Sequence, residues 1–261
     1  MLSAYLLPGP SEAYYVPDFV TPEEEAYLLR KIEETPRQKW KTLGNRRCGV
    51  RPRLWGEVLQ RSTLFRQEMP SFLSHYPDIL GRLRATKAFE CSPHQGPNHV
   101  ILNEYMPGQG IMPHEDGPSY HPVVATLSLG SHAVFHYYRY KGDELSDKAF
   151  SSSTGKGRAI DPNPVLSVLL EPRSVIITTG ALYTSHLHGI EEIGVDAFRG
   201  NNMTPLSSGN EAPIANSEIV RDPEMRSILQ GGGELKRNPR YSLTCRDVEK
   251  VAGTRSLMSI H

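Results

Sequence analysis

A chain of 261 residues is long enough to bury a substantial core without disulfide staples. Its 29 Lys and Arg balance 29 Asp and Glu, so no global field draws it to nucleic acid or membrane, and any such preference must come from local patches. Cys48, Cys91 and Cys245 are scattered, odd in number and in no metal-ligand spacing, which excludes a disulfide scaffold and fits a reducing compartment, cytoplasm and nucleus.

The amino-terminal "MLSAYLLPGPSEAYY" has no basic leader and only a short apolar run. No stretch of the chain approaches the roughly 18 apolar residues of a membrane span, so neither a signal peptide nor a membrane partner is expected. "FVTPEEEAYLLRKIEETP" predicts a helix, with Thr21 as N-cap, Pro22 at its first position and Glu24 closing a capping box. Ala26, Leu28, Leu29 and Ile32 supply its apolar stripe, and Pro36 stops it. Residues 37–66 then hold nine Lys or Arg (Arg37, Lys39, Lys41, Arg46, Arg47, Arg51, Arg53, Arg61, Arg66) against Glu57 alone, with Trp40 and Trp55 among them. Such a stretch is either a solvated face or a surface that tracks phosphates and stacks bases. A weaker helix is expected near 68–84.

From residue 98 the texture changes to short β-rich runs: "HVILNEY", "VVATLSLG", "AVFHYYRY", "VLSVLLEP", "SVIITTG", "YTSHLHGI" and "RYSLTCRDV". Their spacing predicts a sandwich or barrel of antiparallel strands, so the fold class is mainly β with flanking helices (α+β). "EPRS" (171–174) reads as a hairpin with Pro172 at the second turn position. Residues 141–164 and 199–239, rich in Gly, Ser and polar residues, read as surface insertions or disorder. The chain divides into a helical and lid region over 1–97, a β core over 98–250 and a tail over 251–261. A monomer is expected.

His114 and Asp116 in "NEYMPGQGIMPHED" lie two apart, so an extended backbone points both to one side. Alone the pair is a weak signal and reads first as a solvated turn after Pro113. "SHLHGI" adds His186 and His188, on one face by parity. Two histidines and a carboxylate form the facial triad used for non-haem Fe(II), with three coordination positions left open. "RYSLTCR" alternates strictly: Arg240, Ser242, Thr244 and Arg246 on one face, Tyr241, Leu243 and Cys245 on the other. The apolar face is expected to meet the second sheet. The polar face suits a dicarboxylate, because guanidinium pairs bidentately with carboxylate, or is an ordinary exposed strand face. Asn103 and Tyr105 share a face and can offer an amide and a phenol to the same acid.

The order Asn-x-Tyr (103–105), Gly-x-Gly-x-x-Pro-His-x-Asp (108–116), His-Gly-Ile (188–190) and Arg-x-Ser-x-Thr-x-Arg (240–246) resembles the AlkB family of Fe(II)/2-oxoglutarate dioxygenases. The resemblance covers most of 14–42 and 98–190 and resumes at 240–248. It implies a double-stranded β-helix (jelly-roll) core and Fe(II) and 2-oxoglutarate as cofactors, with dioxygen as co-reactant. It implies His114, Asp116 and His188 as iron ligands, the His-Gly-Ile motif selecting His188 over His186. Asn103 and Tyr105 would hydrogen-bond 2-oxoglutarate, Arg240 with Ser242 would take its distal carboxylate, and Arg246 would lie near cosubstrate and substrate. The implied reaction is oxidative demethylation or dealkylation of nucleic-acid bases, DNA or RNA. The Asn-Trp-Gly-Gly type of run that relatives carry in the lid is missing from 46–66. That leaves open an oxygenase of proteins or small molecules, or a nucleic-acid-binding module with little catalysis.

Overall fold

The computed structural model describes residues 2–9, 12–35, 53–55, 57–59, 63–65, 69–142 and 158–252, with backbone alone at 53–55, 57–59 and 65. Most of the basic stretch 37–66, the middle of 141–164 and the tail beyond 252 lie outside the described residues.

Strand β1 (Ala13–Val16) is followed by helix α1 (Pro22–Glu33). Thr21 Oγ1 accepts from the Glu24 amide at 3.2 Å and the Glu24 carboxylate accepts from the Thr21 amide at 2.9 Å, so the expected capping box forms. Strands β2 (Arg53–Trp55), β3 (Glu57–Leu59) and β4 (Thr63–Phe65) lead to α2 (Ser71–Ser74) and α3 (Ile79–Ala85). These two replace the single weak helix expected near 68–84. Pro77 and the Asp78 cap, whose carboxylate accepts from the Gly81 amide at 2.8 Å, divide it.

The core strands are β5 (His99–Tyr105), β6 (Ile111–His114), β7 (Tyr120–Leu129), β8 (Ala133–Tyr138), β9 (Leu166–Leu170) and β10 (Val175–Thr179). The short helix α4 (Gly180–Thr184) precedes β11 (Leu187–Ile190). Then come β12 (Val195–Phe198), β13 (Met203–Pro205), β14 (Glu211–Pro213), α5 (Pro223–Gly231), β15 (Gly233–Lys236), β16 (Arg240–Val248) and β17 (Lys250–Ala252). One sheet has the order β1-β10-β7-β16-β5-β2 and the facing sheet β6-β11-β8-β9. The chain passes from β5 (large sheet) to β6 (small) and β7 (large), then runs through the paired β8 and β9 of the small sheet. It returns to β10 (large), β11 (small) and finally β16 (large), the winding of the double-stranded β-helix that the family resemblance implies.

Period-two alternation decides the layers. Val100, Leu102, Val123, Ala125, Leu127, Leu243 and Cys245 point out of the large sheet and pack under Leu28, Ile32, Leu73 and Leu83 of α1–α3. The apolar face of 240–246 therefore meets the helices, not the second sheet as expected. Each helix must bury its own stripe and takes the apolar side of the sheet, which leaves the polar face of β16 to line the space between the sheets.

Strands β8 and β9 are buried on both faces. Phe135, Tyr137 and Val168 fill the space between the sheets, while Val134 and Leu169 face outward onto Phe198, Ile214, Val220, Leu229 and Leu235. Residues 199–239, read as surface insertion or disorder, thus carry ordered elements that cover the small sheet. Their Gly, Asn and Pro serve the turns between short elements. "EPRS" is also corrected. Pro172 and Arg173 (φ 68°) make a tight turn with Ser174 N bonded to the Glu171 carbonyl, but β9 and β10 lie in different sheets. The turn is a corner of the roll, not a hairpin. No helix among the described residues is long and apolar enough to cross a membrane.

His136 in β8 is 2 % exposed, with Nδ1 2.8 Å from Ser167 Oγ. Burial pushes its pKa down to about 4 despite Glu191 and Asp196 nearby, and Arg237 adds to the depression. An unfolded histidine titrates near 6.5, so the unfolded chain takes up this proton first as pH falls. Stability is fully present above pH ~6.5 and declines towards pH ~4, by up to about 3 kcal/mol from this group. Denaturant unfolding across that range is expected to show a shallower acid limb in His136→Gln; an identical limb would refute the assignment.

Candidate active site

The register of β16 builds one wall of a cleft. Arg240 lies opposite Tyr105 and Ser242 opposite Asn103 on β5, and on the other side Ser242, Thr244 and Arg246 lie opposite Ser128, Thr126 and Val124 of β7. Arg240 is 3 % exposed and donates through Nη2 to Ser128 Oγ at 2.8 Å, with the Tyr105 ring 5.4 Å from its Cζ. Its Nε and Nη1 are buried and have no protein partner. Burial pushes its pKa down to about 10. A buried guanidinium with two unmet donors is a receptor for an anion, and its fork matches a carboxylate.

The facing wall comes from β6 and β11. Their register sets His188 opposite His114, with ring centroids 4.4 Å apart. Gly189 permits this approach: a Cβ there would stand 2.9 Å from the Ile111 carbonyl oxygen. His114 Nδ1 lies 2.9 Å from the Met112 carbonyl, which only accepts, so Nδ1 is the donor in that bond and Nε2 is the ring nitrogen left for a ligand. Phe135 stacks on His188 at 5.3 Å. Asp116 Oδ1 accepts from Arg246 Nη2 and lies 3.8 Å from His188 Nε2, while Oδ2 is buried without a partner.

Electrostatics suit these groups to a cation. Burial pushes His188 down to about 4, so its imidazole is neutral at physiological pH. Burial opposes ionisation of Asp116, but Arg246, His188 and His114 outweigh it and hold the carboxyl below its usual range. One ligand atom from each of His114, Asp116 and His188 lies within 4.8 Å of the others, and no other group of three such residues forms among those described.

All eight residues singled out from the sequence, Asn103, Tyr105, His114, Asp116, His188, Arg240, Ser242 and Arg246, line this one cleft. His186 does not. Residues 180–184 form α4, so the expected β-run begins only at Leu187, and His186 Nδ1 turns back to the Ala181 carbonyl at 3.1 Å. Sequence reasoning missed Ser128 and Phe135. Only strand register puts Ser128 against Arg240, and only sheet packing puts Phe135 against His188.

Residues 12–246 match the 2OG-Fe(II) oxygenase superfamily. The chain is 32 % identical over 243 residues to the Danio rerio protein named probable RNA/DNA demethylase ALKBH6, covering 93 % of this chain and 88 % of that one. The chain belongs to the AlkB family of 2OG-Fe(II) oxygenases. A Xenopus tropicalis tRNA (carboxymethyluridine(34)-5-O)-methyltransferase, alkbh8, is 27 % identical over 227 residues, 84 % of this chain and 31 % of its own length. The solved structure of OsALKBH1 superposes with a TM-score of 0.51 at 15 % identity, covering 92 % of this chain and 99 % of that one, which shows a shared fold.

As an AlkB-family oxygenase the chain is a dioxygenase that uses Fe(II) and 2-oxoglutarate. The cleft fits both. Asp116 Oδ2 is an orphaned buried acceptor beside the two imidazoles of His114 and His188, a donor set suited to Fe(II) with open positions for other ligands. The unmet Arg240 donors, in the same cleft, await an anion such as the carboxylate of 2-oxoglutarate.

Proposed function

We propose that this oxygenase oxidatively dealkylates nucleic-acid bases, with His114, Asp116 and His188 as iron ligands and Arg240 as the anchor of 2-oxoglutarate. The observation that carries the site assignment is the pairing of two buried, unsatisfied groups in one cleft, Asp116 Oδ2 and the Arg240 guanidinium. When bound, Fe(II) with 2-oxoglutarate supplies dioxygen-dependent hydroxylation of a substrate C–H bond, and a hydroxylated N-alkyl group sheds its carbon as an aldehyde. The protein's residues position and shield. Arg240 and Ser242, with Asn103 and Tyr105 across the strand pair, hold the cosubstrate. Arg246 grips Asp116 Oδ1 and leaves Oδ2 to the metal. Val124, Phe135 and Ile176 line the cleft with apolar surface that excludes water.

The nucleic-acid substrate rests on the relative named an RNA/DNA demethylase and on the basic 37–66 stretch with its two tryptophans. A base must leave its stack to reach a cleft of this kind, or come from single-stranded nucleic acid.

Anaerobic titration of the Fe(II)-loaded protein with 2-oxoglutarate tests the site, read by the weak visible charge-transfer band. Wild type is expected to show the band and His188→Ala to lack it. Arg240→Ala should need at least about 30-fold more 2-oxoglutarate, the cost of 2 kcal/mol or more for losing a buried charged partner. Formaldehyde release from N-methylated oligonucleotides tests the substrate. Release from methylated peptides or small amines alone would sink the nucleic-acid reading and leave the site intact.

A further inference from the structure

Beyond β8 the chain runs "YRYKG" (138–142) past the mouth of the cleft. The Tyr140 hydroxyl donates to Glu115 Oε1 at 3.0 Å, and Glu115 stands between His114 and Asp116. Tyr137, three residues earlier, lies opposite His188. Tyr140 is thus fixed to the rim of the metal site from two directions. Its ring carries the exposed Arg158, with Cζ 4.1 Å from the centroid. The platform is built, not incidental. Tyr140 bridges Ile160, the Lys141 amide donates to the Ala159 carbonyl at 2.8 Å, and the Asp161 amide donates to the Arg139 carbonyl at 2.9 Å. These bonds tie residues 139–141 to 159–161.

Among the described residues around the ring, three cations, Arg139, Lys141 and Arg158, stand against two acids, Glu115 and Asp161. Arg139 is matched by Asp161 at 3.5 Å, and Glu115 is engaged by the Tyr140 hydroxyl. Lys141 and Arg158 are both exposed and flank the ring. Arg139, Tyr140, Lys141, Asp161, Pro162 and Asn163 bound a groove of about 370 Å³. An aromatic ring under a guanidinium, with a second cation alongside, is the combination that holds a single strand: π-faces for bases and cations for phosphates.

We propose that the Tyr140–Arg158 platform with Lys141 is the docking surface for the single strand flanking the target base, holding a neighbouring base by stacking and its phosphate by charge. This rests on the nucleic-acid reading of the site. It assigns the strand's path along the rim to residues outside the basic stretch 37–66.

The test is fluorescence anisotropy of a labelled single-stranded oligonucleotide against the Fe(II)- and 2-oxoglutarate-loaded full chain, over a salt series. Tyr140→Ala is expected to weaken binding about ten-fold, the size of a lost base stack. Lys141→Ala with Arg158→Ala should weaken it further and flatten the slope of log K against log salt by about 1. Tyr140→Phe, which keeps the ring, should bind within about two-fold of wild type, and Lys236→Ala, on the distant β15, should bind as wild type. The charge-transfer band must survive in each variant. Should Tyr140→Ala disturb it, the exposed Lys141 and Arg158 pair decides the matter. Wild-type binding that neither the ring nor the cation variants weaken would overturn the platform and leave the proposed substrate standing. A wild type that binds no oligonucleotide would overturn both.

Discussion

His188→Ala is expected to lower 2-oxoglutarate turnover by on the order of 1000-fold, about 4 kcal/mol in the barrier. The imidazole is held by three contacts: register opposite His114, the Phe135 ring at 5.3 Å and Asp116 Oδ1 at 3.8 Å from Nε2. Removing it leaves two protein ligands and an imidazole-sized gap against Phe135. The loss is therefore specific, and added imidazole should restore part of the turnover by entering that gap. The substitution itself removes a neutral ring and strands no charge, so thermal unfolding should shift little. Turnover within ten-fold of wild type, or a loss accompanied by gross unfolding, would count against a ligand role. His186→Ala is the matched control: that ring faces the α4 carbonyls, and its removal should leave turnover intact.

Asp196→Ala is expected to cost about 3–5 kcal/mol of folding free energy while sparing the chemistry. Asp196 is 1 % exposed and accepts from Arg237 Nε and Nη2, each at 2.7 Å, with His132 Nε2 3.1 Å away. Arg237 also donates through Nη1 to the Glu191 carbonyl at 2.9 Å. These bonds fasten β12 and the approach to β16 onto the loop before β8. Removing the carboxylate leaves Arg237 buried without its ion-pair partner, a far greater penalty than losing a surface pair. At this chain length the melting temperature should fall by about 10 °C or more. Replacing both partners, Asp196→Leu with Arg237→Met, should recover much of the loss, because no charge is then stranded. A single variant that melts within about 2 °C of wild type would show that the pair is hydrated and contributes little.

These two sites differ in how far they could be read from the chain. Order and parity exposed the candidate site residues: Asn103 and Tyr105 share a strand face, Arg240 and Arg246 alternate with Leu243 and Cys245, and His114 and Asp116 follow a broken turn. Parity fails wherever the backbone changes state, which is why His186 looked equivalent to His188 until α4 took up residues 180–184. The Asp196–Arg237–His132 cluster had no local signature. Its members are scattered along the chain and acquire meaning only when β12 pairs with β15 beside the small sheet.

By itself the sequence determined the elements and the donor types: the Thr21 capping box, the β-runs from His99 onward, and the two histidines, carboxylate and arginines that the chemistry needs. Such features depend on residues within a few positions of one another, where rotation per residue is set by the backbone. Tertiary structure alone decided which face looks where. The helices took the apolar side of β16 and so turned its guanidinium face into the cleft. It made "EPRS" a corner between sheets and folded 199–239 into a cover over β8 and β9. It also left Asp116 Oδ2 and the Arg240 donors buried without partners. Those outcomes follow from which apolar surfaces find each other, and that pairing is settled between segments far apart in the chain.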